Sequence, residues 1–246
     1  MTEPIIQVEN LTAGYNERKI LQNISLDIYP NEIVVILGTS GCGKTTLLKH
    51  LIGLLTSKEG KVKLFGKDIN NLYDKELIQI KKRIGVLFQN GALLNSITIA
   101  ENIAIPLKRH YNLSQAVMDR IVHLKLSLVG LDHVYNFFPN ELSGGMRKRA
   151  ALARAISLDP QLFFVDEPGA GLDPVTAEAL DKLLLSLKNQ LGMTLVVVTH
   201  EVASIKRIAD KICYLSKGNI LFYDTLDKAL KSDIPEINNF FNSAGR

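Results

Sequence analysis

Residues Gly38–Thr45 read GTSGCGKT, and this one segment limits the fold more than any other. Its glycines let the backbone curl so that successive N–H groups face inward, where they can hydrogen-bond phosphate oxygens. The apolar run Ile33–Leu37 before it predicts a buried strand, and Thr46–Leu54 after it a helix. The loop therefore opens onto a helix N-terminus, whose dipole favours anions. The spacing G-x-x-x-x-G-K-[ST] is met at every fixed position: Gly38, Gly43, Lys44 and Thr45, with Thr39, Ser40, Gly41 and Cys42 between them. Lys44 would reach the β- and γ-phosphates of a nucleotide, and the Thr45 hydroxyl would ligate Mg²⁺. Thr46, the first residue of the predicted helix, completes the set expected at the nucleotide. A glycine-rich turn matching by chance is the competing account, and it leaves the flanking strand and helix unexplained. Cys42 stands at a variable position, open to two readings: a small filler or a redox-controlled thiol.

A second apolar run, Leu162–Val165, leads into Asp166 and Glu167 and then Pro168. An unpaired buried carboxylate is costly, so an acid ending such a strand is expected to act. At the C-terminal end of a parallel strand it would lie beside the phosphate loop, where ligands bind in sheets of this kind. Asp166 is then expected as the outer partner of the Mg²⁺, and Glu167 as the base or orienter of an attacking water. Two solvated acids at a loop start are the alternative. His200 follows the predicted strand Thr194–Val198 and Thr199, so it too sits at a strand's C-terminal edge, where a histidine can hydrogen-bond a γ-phosphate or hold the water. Alone it would read equally well as a loop histidine. His50, His110, His123 and His133 have no comparable setting.

The rest of the chain fits around these points. Its 246 residues correspond to about 1.6 nominal domains, meaning one large domain or one with an inserted lobe. Apolar residues make up 46% and mean hydropathy is +0.10, enough for a sizeable core and against disorder. A net charge of +4 is too slight to argue for nucleic acid. Two cysteines exclude a disulfide scaffold and a four-cysteine metal site. No apolar run approaches the ~20 residues of a membrane span, and MTEPIIQVENL lacks a signal-peptide pattern, so a cytosolic or peripheral protein is expected. Further strands are predicted at Ile5–Asn10, at Ile20–Ile28 after a polar turn at Asn16–Lys19, at Val62–Phe65 and at Ile84–Phe88. Helical texture replaces them from about Gly91, with Ser114 as a cap before Gln115–Ser127. It is expected again at Met146–Ile156 and Thr176–Gln190, and the tail from Asp224 reads as polar helix and turn. Buried strands alternating with helices predict an α/β fold with a parallel sheet covered on both faces.

With these residues in place the chain resembles the ATP-binding-cassette (ABC) ATPases. Leu142–Met146, LSGGM, resembles that family's signature; Gln89 its Q-loop; Gly171–Pro174, GLDP, its D-loop; and His200 its switch histidine. The order of these motifs matches the family from roughly Ile5 to Asp224. The resemblance implies a P-loop NTPase of ABC type: a RecA-like, mostly parallel core sheet, an N-terminal antiparallel β-subdomain and an inserted α-helical subdomain. It assigns residues 5–90 and 159–223 to the ATP-binding core, 91–158 to the helical subdomain and 224–246 to a short tail. It implies ATP and Mg²⁺ as cofactors and hydrolysis of ATP in a head-to-tail pair of two copies. In that pair Ser143, Gly144 and Gly145 meet the γ-phosphate held by the other copy. Asp173 belongs to the nucleotide site, and Gln89 joins Thr45 and Asp166 at the metal while acting with Glu167 and His200 in catalysis. Tyr15 matches the aromatic that stacks on adenine, or simply covers a sheet edge.

Departures from the commonest importers point to one branch. Met146 in the signature with RKRAALARAI after it, the segment NGALLNS at Asn90–Ser96, and the tail Ser232–Asn242 resemble the Mla/Mce-type phospholipid transport ATPases. That branch implies phospholipid movement across a Gram-negative-type envelope, a place at the cytoplasmic face of the inner membrane and a multi-span permease as partner. It also implies a STAS-type cytoplasmic subunit, an MCE-type lipid-binding protein and no nucleic acid. Within Gly91–Leu107, Leu93, Leu94 and Ile103 are open to two readings, a permease contact or the core of the helical lobe. An ATPase for uptake of an amino acid or other small solute is the alternative. A DNA-repair or translation ATPase would need a coiled-coil insertion or a second cassette, and a switch without turnover would lack Glu167.

Overall fold

The computed structural model describes residues 3–15, 18–57 and 59–243. In chain order the first half forms β1 (Ile6–Tyr15), β2 (Arg18–Ile28), β3 (Ile33–Gly38), α1 (Lys44–Leu51), β4 (Glu59–Leu64), β5 (Lys67–Asp68), α2 (Asp74–Lys82), β6 (Ile84–Leu87) and α3 (Ile99–His110). The second half forms α4 (Gln115–Leu128), α5 (Gly144–Ala155), β7 (Leu162–Asp166), α6 (Pro174–Leu191), β8 (Thr194–Val198), α7 (Val202–Ile208), β9 (Lys211–Ser216), β10 (Asn219–Thr225), α8 (Leu226–Leu230) and α9 (Pro235–Ser243). The chain divides into two compact units, Met1–Ile80 with Thr194–Arg246, and Lys81–Met193.

In the first unit every residue of β3 is buried, as a continuous run of Ile, Val and Leu requires of a strand covered on both faces. It pairs in parallel with β8 (Ile33↔Leu195) and with β9 (Val34↔Lys211), and β9 turns back antiparallel into β10. Lys217 (φ 48°) and Gly218 (φ 81°) make that turn with two left-handed residues, as tight hairpins demand. A separate antiparallel sheet runs β2-β1-β4-β5. Helix α1 lies against strands of both sheets. Strand β1 runs on to Tyr15 rather than stopping at Asn10. The residue has φ 49° and the register shifts there, but its N–H donates to Ser25 Oγ at 2.9 Å, so the strand bulges and continues. Strand β2 likewise begins at Arg18, earlier than the expected turn at Asn16–Lys19 allows; Asn16 itself lies outside the described residues.

In the second unit β6 and β7 pair in parallel (Ile84↔Leu162), with Leu162–Val165 fully buried. Helix α3 starts at a capping box, in which Thr98 accepts the Glu101 N–H and Glu101 accepts the Thr98 N–H. Asn102, fully buried on α3, ties down the segment before it. Its Nδ2 donates to the carbonyls of Leu94 and Thr98, and its Oδ1 accepts the Leu94 N–H at 2.8 Å. Ser114 does stand at the N-cap of α4, but its side chain makes no capping bond. Among the described residues no helix is long and apolar enough to cross a membrane.

Candidate functional site

The phosphate-loop segment begins where β3 ends. Gly38 must be glycine, since a Cβ there would stand 2.1 Å from the Leu215 carbonyl oxygen. Gly43 (φ 109°) is left-handed and abuts Leu21, whereas Gly41 (φ 76°) is left-handed with open space where a Cβ would point. Between them Thr39 and Ser40 are exposed, while Cys42 is buried and its N–H donates to the Thr39 carbonyl at 3.3 Å. Gly43 is the N-cap of α1 and no side chain caps the helix, so its first turn offers backbone N–H groups to a ligand. The helix starts at Lys44, two residues earlier than the helix formers suggest. Lys44 Nζ donates to the Gly38 carbonyl at 2.9 Å and the Thr39 carbonyl at 3.0 Å, folded over the loop. Thr45 is exposed; Thr46 is buried and its carbonyl meets His50 Nδ1 at 2.8 Å. In the same unit His200 follows β8 and is exposed, after a buried Thr199. Tyr15 ends β1, but its side chain lies outside the described residues.

The second unit holds the carboxylates and the signature. Asp166 is the last residue of β7, and it and Glu167 are half-buried. Glu167 has φ 46°, a left-handed conformation that costs a side-chain-bearing residue energy. Its carbonyl accepts the Ala170 N–H at 3.2 Å and the Lys148 ammonium at 3.5 Å. The same ammonium donates to the carbonyl of Gln89, whose side chain is exposed. Lys148 thus joins two expected site residues through their backbones. Arg154, farther along α5, donates to the Gly91 carbonyl at 2.9 Å and the Ala92 carbonyl at 2.8 Å. Sequence reasoning missed both cations; the basic run after Met146 was their only trace.

Ser143 caps α5 by accepting the Met146 N–H, and Ser143 and Gly144 are exposed at that helix end. Gly145 faces α6, where a Cβ would come within 2.7 Å of Thr176 Cγ2. Asp173 caps α6, accepting the N–H groups of Val175 and Thr176; bonds from the Thr176 hydroxyl and backbone hold its carboxyl below the usual range. In the segment after Gln89, Ile103 is buried core, Leu93 half-buried and Leu94 51% exposed.

The glycine cradle, the uncapped helix start and the folded-over lysine are what a phosphate chain needs. Mg²⁺ keeps several waters and phosphate oxygens and asks the protein for one or two oxygens. The Thr45 hydroxyl and Asp166 carboxylate are donors of that hard kind, and no cluster of three His, Cys, Asp or Glu side chains suited to another metal exists among the described residues.

These features define the class of the P-loop nucleotide hydrolases. Residues 21–170, more than half of the chain, match the family described as "ABC transporter", and the chain belongs to that family. It is an ATP-hydrolysing subunit of ABC type, of a family that binds ATP with Mg²⁺. Its fold is RecA-like, with a mixed parallel core sheet, an N-terminal antiparallel subdomain and an inserted helical subdomain. A "probable ribonucleotide transport ATP-binding protein mkl" of Mycobacterium leprae is 40% identical over 237 residues, covering 96% of this chain and 68% of the relative. The "intermembrane phospholipid transport system ATP-binding protein MlaF" of Haemophilus influenzae is also 40% identical, over 232 residues, covering 94% of this chain and 88% of the relative. Among solved structures, the ATP-binding cassette MJ0796 in a dimeric post-hydrolysis state bound to ADP and Pi is 33% identical with a TM-score of 0.81. It covers 90% of this chain and 98% of its own.

Proposed function

We propose that two copies of this chain pair head to tail at the cytoplasmic face of a membrane and drive a permease by hydrolysing ATP. In this reading the backbone of Gly38–Gly43 and Lys44 hold the phosphates, Thr45 and Thr46 stand at the start of the helix beneath them, and Tyr15 stacks on adenine. Thr45, Gln89 and Asp166 hold Mg²⁺, which when bound withdraws charge from the phosphates. Glu167 takes the proton of the attacking water, while Gln89 and His200 orient that water and the γ-phosphate. Residues 91–158 act as the arm that meets the permease.

The observation that carries the pairing is the solvent-exposed N-terminus of α5, capped by its own Ser143. Ser143 and Gly144 present a helix start to solvent, a ready anion site of the kind a γ-phosphate on another copy would fill. The solved relative described as a dimer supports the same reading. A long cation at that position should block it. Ser143→Arg is expected to bind ATP within about twofold of wild type, yet to lose hydrolysis by roughly 10²-fold, the scale of one lost charge-stabilising group. Specific activity of the wild type should rise with protein concentration; a variant that kept wild-type activity would overturn the trans site.

For the cargo we favour phospholipid, with a STAS-type subunit and an MCE-type lipid-binding protein as further partners. Support comes from the MlaF relative, matched over most of its length, and from the segment Asn90–Ser96. A small solute is the second reading, favoured by the equal identity of the mycobacterial relative. Reconstitution with its copurifying permease in vesicles carrying labelled phospholipid separates them. ATP-dependent transfer of the lipid is the expected result, and ATPase stimulation by a ribonucleotide or amino acid without lipid transfer would reverse the choice.

A further inference from the structure

Helix α5 carries two cations that fasten strained backbone elsewhere in its unit. Gly91 (φ 70°) and Ala92 (φ 51°) are consecutive left-handed residues, and Arg154 takes both of their carbonyls. A Cβ on Gly91 would stand 3.0 Å from Ala151 Cβ, so this turn lies directly on α5. Glu167 is a third left-handed residue, and Lys148 reaches its carbonyl as well as that of Gln89. Lys148 is only 9% exposed. A cation so far out of water is costly unless hydrogen-bonded, so a solubilising role does not explain it.

We propose that Lys148 is a positioning residue for hydrolysis: one ammonium, on the helix that begins at Ser143, sets the backbones of Gln89 and Glu167 together. This rests on the roles given above to Gln89 and Glu167. Its consequence is mechanical. Whatever engages the start of α5 is tied by this contact to the residue that activates water and to the one that orients it. A small displacement of α5 then changes both at once, and misplacement by about an ångström is enough to cost a large factor in rate. Affinity for ATP measured without Mg²⁺, which this reading gives to Gly38–Thr45 and Tyr15 rather than to Gln89 or Glu167, is not affected.

The test compares Lys148→Met, which keeps length and apolar stem, with Lys148→Arg, which keeps the donors. The methionine variant is expected to lose ten- to hundredfold in kcat with the ATP dissociation constant, measured without Mg²⁺, within twofold of wild type. The arginine variant should recover at least a third of wild-type kcat. A purely structural lysine would instead lower melting temperature and ATP affinity alongside kcat. If the methionine variant does not fold, Lys148→Leu, which also lacks a donor, takes its place. Wild-type kcat in the methionine or leucine variant, or a loss that arginine does not rescue, would overturn the proposal. Glu167→Gln is measured in parallel. If it is inactive while Lys148→Met is fully active, this inference alone fails; if Glu167→Gln itself turns over normally, the reading of the site on which it rests has failed.

Discussion

Replacing Glu167 by glutamine is expected to lower steady-state ATP turnover by about 10²–10⁴-fold, the span of a lost general base, while ATP binding stays within a few fold of wild type. That is roughly 3–5 kcal/mol of transition-state stabilisation. The change isolates chemistry because of how Glu167 is held. Its left-handed backbone is fixed through its carbonyl, by the Ala170 N–H and Lys148, and glutamine leaves both bonds in place. The side chain keeps its size and loses only its basicity. Nothing in Gly38–Thr45 changes, so the nucleotide should still bind, and with hydrolysis stalled the two-copy complex should accumulate on ATP. Steady-state phosphate release and size-exclusion chromatography with and without ATP read both effects. Turnover near the wild-type rate would remove Glu167 from the mechanism.

What the sequence made legible was local. The phosphate loop could be read because its fixed positions all lie within eight residues, with lysine and threonine at the helix start. The crowding that demands glycine there nonetheless comes from distant residues, Leu215 at Gly38 and Leu21 at Gly43. Leu162–Val165 could be read because a short apolar run ending in two acids has few other uses. Strand β1 was cut short for an equally local reason, since asparagine favours turns. The Ser25 hydroxyl that keeps Asn10 in the sheet stands fifteen residues away. The start of α1 was misplaced because Gly43 breaks the helix pattern while serving as its N-cap.

The contacts of α5 were hidden for a stronger version of the same cause. Lys148 and Gln89 are 59 positions apart, and Arg154 and Gly91 are 63 apart. A basic stretch on a helix reads as solvated surface until the fold turns two of its members inward. The signature drew attention to Ser143 and left the residues behind it as mere marks of a branch. Of those residues Lys148 ties the signature helix to Gln89 and Glu167, and Arg154 ties it to Gly91 and Ala92, which no spacing rule encodes.

Lys44→Ala is expected to fail one step earlier than Glu167→Gln, with loss of binding rather than of chemistry. In the structure the ammonium bridges the carbonyls of Gly38 and Thr39, and in the proposed reading it turns to the phosphates. Hydrogen bonds to a charged group are worth about 1.5–3 kcal/mol each, so the ATP dissociation constant should rise by roughly 10²-fold or more. Turnover at ordinary ATP concentrations should vanish with it. The fold should survive, because alanine is the best helix former at the start of α1 and the loop is shaped by Gly38, Gly43 and the Cys42 N–H to Thr39 contact. A melting temperature within a few degrees of wild type, measured beside a fluorescent-ATP titration, separates lost binding from unfolding. The two variants should then differ in assembly: ATP gathers Glu167→Gln into pairs and leaves Lys44→Ala as single chains. Near-normal ATP affinity in Lys44→Ala would contradict the role of the lysine, whatever the fate of turnover, because the backbone cradle alone would then suffice to hold the phosphates.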